Sequence, residues 1–232
     1  MRISTIMAVY NNERYVGPAL DSVLAQSLPT SEIIVVDDGS TDGTADVLRG
    51  YATRVRVISQ QNSGPGRAFN VAIAAATGDA FAFLDGDDLW MPEKLRIQHA
   101  ALSTEENLDA VFGAVQQFVS PEIDAETALS YAVPRCPQPG ISKNAMLIRR
   151  NAFEQIGSFA EGYSATDFVD WYARANVLGL RSRMLSEVVA LRRHHPGNLG
   201  RRLRSKQHDE LLHVLKRSLD LRRRKSSPKG DS

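Results

Sequence analysis

At 232 residues, with 43% hydrophobic and 24% charged side chains, the chain is large enough for one sizeable core or two small domains and has ordinary globular composition. No apolar stretch approaches the ~18 residues that a membrane span needs, and a single cysteine, Cys136, excludes an intramolecular disulfide and gives no metal pattern. The net charge of +1 conceals an asymmetry: residues 192–232 carry 13 Lys+Arg against 4 Asp+Glu and the rest 15 against 23, so a tail of +9 follows a body of −8.

Residues 2–9 read as a strand without the long apolar segment of a signal peptide, so the expected location is cytoplasmic. A helical pattern over 12–26 places Tyr15, Ala19, Val23 and Leu24 on one side and ends before Pro29. A strand at 32–37, a helix at 41–50 and a strand at 54–59 follow. Gly64-Pro65-Gly66 opens a helix over 67–76, Thr77-Gly78 stops it, and 80–84 is the fourth strand. Pro92 suits the first turn of a helix to about Leu102, and 109–119 reads as another strand. The Pro-rich segment 120–140 reads as a loop or lid. Beyond it the pattern predicts a strand at 141–149, a helix at 150–156, a helix from Thr166 to Leu178 closed by Gly179, and a strand at 185–192. Leu211, Leu212, Leu215 and Leu219 line one face of a basic tail helix, with disorder expected after Ser226. Alternating strands and helices call for an α/β fold with a doubly wound, mostly parallel sheet and helices on both faces, as one compact domain with a helical basic tail.

The most informative feature is Asp85-Gly86-Asp87-Asp88, directly after the apolar run 80–84. Carboxylates held together repel unless something positive sits among them. On extended backbone Asp85 and Asp87 point the same way, giving an oxygen-rich corner suited to Mg2+ or Mn2+, which completes its shell with substrate phosphates. An isolated acidic turn of this kind is more often simply solvated. Here a second acidic pair, Asp37-Asp38, also ends an apolar run, and in parallel α/β sheets ligands bind outside the carboxyl ends of the strands.

Four segments then occur in order: Ile6-Met7-Ala8-Val9-Tyr10-Asn11-Asn12, Val35-Val36-Asp37-Asp38-Gly39-Ser40-Thr41-Asp42, Asn62-Ser63-Gly64-Pro65-Gly66-Arg67-Ala68-Phe69-Asn70 and Leu84-Asp85-Gly86-Asp87-Asp88. Together they resemble the family 2 inverting glycosyltransferases, which have the nucleotide-sugar-binding GT-A fold. The resemblance implies a nucleotide site built from Ala8, Tyr10, Asn12, Asp38, Arg67 and Asp85. In it Tyr10 packs on the nucleobase, Asp38 accepts from a base N–H in a manner that favours uracil, and Asp87 ligates the metal that bridges the donor diphosphate.

An inverting transfer needs a base on the far side of the anomeric carbon. The family carries it on a later helix, where this chain has Thr166-Asp167-Phe168-Val169-Asp170-Trp171-Tyr172-Ala173-Arg174. Phe168 departs from the family pattern. Asp167 and Asp170 are the candidate catalytic residues, Asp167 preferred, because Asp170 is four residues before Arg174 and has ion-pair spacing. Arg193-His194-His195-Pro196-Gly197-Asn198 resembles a family segment that folds over the diphosphate, with His195 a further metal contact. Trp90 and Trp171 are candidates for the floor of a sugar pocket, with core packing the stronger expectation for each.

The resulting expectation is a metal-dependent glycosyltransferase using a UDP-linked donor. Residues 1–119 form the nucleotide-sugar half, 120–200 the acceptor-binding and catalytic half, and 201–232 the tail. The alternatives are a catalytically degenerate nucleotide-sugar-binding protein and a sugar nucleotidyltransferase; Val9-Tyr10-Asn11-Asn12-Glu13 lacks the Gly-rich basic loop of the latter. The acceptor class stays open between saccharide, lipid-linked glycan, peptide and small molecule. The tail suits peripheral contact with the anionic inner face of a membrane, the protein's own body, or a second subunit in a homodimer.

Overall fold

The computed structural model describes residues 1–199 and 204–226; the expected disorder after Ser226 lies outside them. The elements run β1 (Ile3–Val9), α1 (Val16–Leu24), β2 (Glu32–Asp37), α2 (Thr44–Arg49), β3 (Arg56–Ser59), α3 (Pro65–Ala75), β4 (Ala80–Asp85), β5 (Leu89–Trp90) and α4 (Lys94–Thr104). They continue with β6 (Ala110–Val119), α5 (Ala125–Leu129), β7 (Gln138–Pro139), a 3-10 turn (Lys143–Ala145), β8 (Met146–Arg149), α6 (Arg150–Ile156), α7 (Asp167–Leu178), β9 (Ser182–His194) and α8 (Arg204–Ser226).

One sheet is ordered β3-β2-β1-β4-β8-β6-β9-β5, with β7 on β6. The first four strands in that order are parallel, β8 is antiparallel to both β4 and β6, and β9 is parallel to β6. Chain progression runs outward from β1 through β2 to β3, then returns to β4 on the other side of β1. This reversal opens a crevice at the carboxyl ends of β1, β2 and β4.

Side-chain alternation decides what faces that crevice. Along β4, Ala80, Ala82 and Leu84 join the core shared with α1 and α4, while Phe81 and Phe83 join the core shared with α3, α6 and α7. Asp85 continues the second series. In β2, Ile33 and Val35 belong to the first core and Ile34 and Val36 to the second, so Asp37 and Asp38 diverge in the same manner. The register sets Ala8 beside Asp85 and Val9 beside Asp37.

Three segments differ from the sequence pattern. The first helix begins at Val16 rather than near Asn12, because the Asn12 carbonyl accepts from the Tyr15 and Val16 amides in a turn that Asn11, at φ 52°, has already made. Segment 120–140 contains α5, capped by Asp124 accepting from the Thr127 amide at 2.8 Å, and the short strand β7. The predicted strand 141–149 is broken by the 3-10 turn, where the polar side chains of Lys143 and Asn144 are buried.

Candidate active site

The acidic turn after β4 is held from three directions. Asn144 accepts from the Asp85 amide through Oδ1 at 2.9 Å and donates through Nδ2 to Asp88, while its carbonyl receives the Trp90 indole N–H at 3.1 Å. Arg193 donates its amide to Asp88 Oδ1 at 2.8 Å and its Nε to the Asp87 carbonyl at 2.8 Å, with its guanidinium between the Tyr15 and Phe118 rings. Asn198 Nδ2 donates to Asp87 Oδ2 at 3.0 Å, and His195 Nε2 lies 3.1 Å from the same oxygen. The Gly197 amide donates to His195 Nδ1 at 3.2 Å, which leaves the ring proton of the neutral imidazole on Nε2, pointing at Asp87. Gly86 is required here: a Cβ would sit 2.7 Å from Val9 Cγ1 and 3.0 Å from Asn12 Oδ1.

Electrostatically this is a corner in need of positive charge. Burial raises the Asp85 carboxyl above the usual range, Lys143 opposes that rise, and Asp87 and Asp167 reinforce it. Asp88 is pushed up further by burial and then by Asp87 and Asp85, with the Arg193 amide acting the other way. Among the described residues no group of three or more acidic, His or Cys side chains is placed to hold a metal ion, so substrate oxygens would have to supply most of the shell. An open corner of carboxylates is the donor set with which Mg2+ or Mn2+ is held when phosphate oxygens complete the shell, so the residues fit such an ion.

Asp167, the first residue of α7, faces this corner: it is buried, and its Oδ2 receives Lys143 Nζ at 2.7 Å. The ammonium also lies 4.2 Å from the centre of the Phe69 ring. Asp170 is placed differently, buried and ion-paired to Arg174 at 3.0 Å and Arg217 at 3.4 Å. Phe168 stacks on Trp171 and Tyr172 in the aromatic core, so the helix turns position 167, and not 168, toward the acidic corner. Trp90 and Trp171 are 3% and 0% exposed, which makes both core residues.

On the other bank of the crevice Tyr10 is 44% exposed. The Asn12 side chain accepts from the Tyr10 amide at 3.0 Å, and the Asn12 backbone N–H donates to Thr44 Oγ1 at 2.8 Å, bracing the β1 end against α2. Asp38 is buried, with Oδ1 accepting from Gln60 Nε2 and the Ser63 amide and Oδ2 from the Gly64 amide at 2.9 Å. It therefore shapes loop 60–64, and Oδ2 keeps a lone pair for one more donor. Arg67 is exposed and lies 3.5 Å from Glu161. Sequence reading missed Lys143 and Asn144. Their one signal is a pair of polar residues immediately before the apolar run Ala145-Met146-Leu147-Ile148.

Comparison with known proteins shows the family and the fold. Residues 4–160 match the family model Glycosyl transferase family 2. EpsE of Bacillus subtilis, whose name places it among glycosyltransferases, is 34% identical over 206 residues, covering 81% of this chain and 71% of EpsE. Three other curated relatives are spanned over only 31–34% of their own length. Among solved structures, the mannosyltransferase PcManGT of Pyrobaculum calidifontis, in complex with GDP-Man and Mn2+, superposes with a TM-score of 0.70 at 23% identity over 94% of this chain and 64% of that one. TarS of S. aureus with UDP-GlcNAc gives 0.68 at 24% identity over 86% of this chain and 60% of that one. At these identities the two structures show the fold, which is of the GT-A type.

Proposed function

The chain belongs to glycosyl transferase family 2, and from that premise we propose that it moves a sugar, with inversion, from a nucleoside diphosphate donor to an acceptor nucleophile. The observation that carries the reading is the meeting of the acidic turn with α7 across two adjacent residues: Asn144 holds the Asp85 amide and the Asp88 carboxylate, and Lys143 holds Asp167 Oδ2 at 2.7 Å. In this reading 1–119 binds the donor and 120–200 the acceptor. Tyr10 covers the nucleobase, Asp38 takes a uracil N–H on Oδ2, Ala8 and Asn12 line the nucleotide, Arg67 approaches it, and Asp85 contacts the ribose.

Asp87 would hold Mg2+ or Mn2+, and the His195 Nε2–H would orient its carboxylate rather than ligate the ion as the sequence suggested. When bound, the ion offsets charge on the departing diphosphate. Asn144, Arg193 and Asn198 fix the turn so that its carboxylates are set before substrate arrives. Lys143 occupies Asp167 Oδ2 and thereby orients the carboxylate, leaving Oδ1 to take the acceptor proton. Asp170 serves as the ion-paired anchor of α7. Among the described residues no helix is long and apolar enough to cross a membrane. We assign the exposed leucine face of α8, Leu212, Leu215 and Leu219, to contact with an anionic membrane surface, where a lipid-linked acceptor would be presented.

Calorimetric titration with UDP, GDP and dTDP, with and without Mn2+, tests the donor class. Mn2+-dependent UDP binding that Asp87→Ala abolishes is expected; binding of none by folded protein overturns the reading. Asp167→Asn should then keep UDP binding and lose turnover. The firm Lys143–Asp167 pair also favours a second reading, a nucleotide-sugar-binding module without turnover. Donor binding by a wild-type protein that neither transfers nor hydrolyses its donor would establish that module.

A further inference from the structure

We infer that helix α8 is a positioning element of the transfer site, holding the start of α7 through Glu210 and Arg217; this rests on the reading of Asp167 as the base. Thr166, at the head of α7, makes no side-chain bond to the helix amides that follow it. Its hydroxyl turns outward and donates to Glu210 Oε2 at 2.8 Å. The same carboxylate accepts from the Ser164 amide at 2.8 Å and the Ala165 amide at 3.2 Å. Glu210 is 9% exposed, so a buried carboxylate from another helix stands at the positive end of α7 and ties together the three residues that lead into Asp167.

Farther along the same face of α8, Val214 is buried and Arg217 Nη1 reaches Asp170 Oδ1 at 3.4 Å, while Arg174 Nε holds Asp170 Oδ2 at 3.0 Å. Positions 210, 214 and 217 repeat at the spacing of one helical face. They grip α7 just before and just after Asp167. A helix that had only to cover apolar surface would turn its leucines inward. Here Leu212, Leu215 and Leu219 are exposed, while the face turned to α7 carries the buried Glu210 and Val214 and, at its half-exposed edge, Arg217. The two elements are 44 residues apart at the Thr166–Glu210 contact, so the grip is tertiary. Its consequence is that the orientation of Asp167 depends on α8, through Glu210 and Arg217.

The test uses the full chain and the variants Glu210→Ala, Glu210→Gln and Arg217→Met. Expected is a UDP/Mn2+ affinity within about twofold of wild type for all three, with kcat reduced on the order of 10–100-fold in Glu210→Ala through misplacement of the base. Glu210→Gln keeps one acceptor oxygen in place of two and sets its NH2 against a backbone N–H, so its kcat should fall between those of wild type and Glu210→Ala. Amide hydrogen exchange at Ser164 and Ala165 should accelerate in Glu210→Ala while β1 and β2 stay protected. Unchanged kcat, a fall in UDP affinity parallel to kcat, or unchanged exchange at 164–165 overturns the inference. If Glu210→Ala does not fold, a smaller fall in kcat at unchanged UDP affinity is expected of Glu210→Gln and Arg217→Met, and wild-type kcat in both overturns the inference. UDP binding without wild-type turnover, with exchange accelerated as expected, would sink the Asp167 reading and reduce the grip to a structural contact.

Discussion

Removing one partner of the Lys143–Asp167 pair is the most direct perturbation of the crevice. The two side chains are 9% and 6% exposed and 2.7 Å apart, so little solvent screening discounts the interaction. Breaking such a pair leaves one buried charge uncompensated, which costs about 3–5 kcal/mol; replacing both partners by apolar groups of similar volume comes close to neutral. Lys143→Met and Asp167→Leu should each therefore cost about 3–5 kcal/mol, and the double variant clearly less than either. The coupling energy should therefore be at least about 3 kcal/mol. Lys143→Met should be the more costly single change, because Lys143 also offsets the charge of Asp85. Methionine can occupy the space against the Phe69 and Phe159 rings that the lysine now fills. Urea titration without metal or nucleotide gives the four free energies, and melting should show each single variant lowered by roughly 10 °C. Single variants that cost under about 1 kcal/mol, or that add in the double variant, would show that the pair is solvated and that Lys143 does not fix the Asp167 carboxylate.

Lys94 is fully buried, donating to Gln98 Oε1 at 2.6 Å and the Met146 carbonyl at 3.3 Å, and burial pushes its ammonium well below the ordinary lysine value. Below the ordinary value near 10.4 the unfolded chain binds that proton more tightly than the folded one, so this group's contribution to stability rises as pH rises toward it. The wild-type minus Lys94→Met stability difference should climb between pH 7 and pH 10 by up to about 1.4 kcal/mol per unit; a flat difference would mean that the folded chain keeps the charge. Gly64 has φ 89° and ψ 162°, and a Cβ there meets nothing within 4 Å, so Gly64→Ala should cost about 1–3 kcal/mol through backbone strain alone and weaken UDP binding by shifting the amide that Asp38 accepts. A neutral substitution would refute the strain. Replacing Leu212, Leu215 and Leu219 by serine should weaken binding to phosphatidylserine vesicles at least about 10-fold with UDP affinity unchanged. Unchanged vesicle binding removes the membrane assignment, and a wild-type dimer lost in the variant would assign the face to a second copy.

The sequence by itself determined the sheet-forming runs, their acidic ends and the turns between them, because these are local properties. Period-two apolar runs fix which residues enter a strand and which face each takes, and a Gly or Pro placed beside them fixes where the run stops. That was enough to bring Asp38, Asp85 and Asp87 to one edge and to put Asp167 at the start of a helix; only the resemblance to family 2 glycosyltransferases implied that this helix faces them. Tertiary structure alone decided what those carboxylates touch. Lys143 and Asn144 lie 24 and 56 residues from Asp167 and Asp88, and no periodicity links a polar pair at a strand entrance to its distant partners. The same holds for Phe168, whose departure from the family pattern is explained once its ring is seen in the aromatic core, and for Asp170, whose second cation comes from α8. The two-residue strand β5 exists only because β9 pairs with it. Local pattern settles which side chains are apolar and which backbone is extended; a buried polar group is stable only beside its partner, and that partner is chosen by the packing of the whole chain.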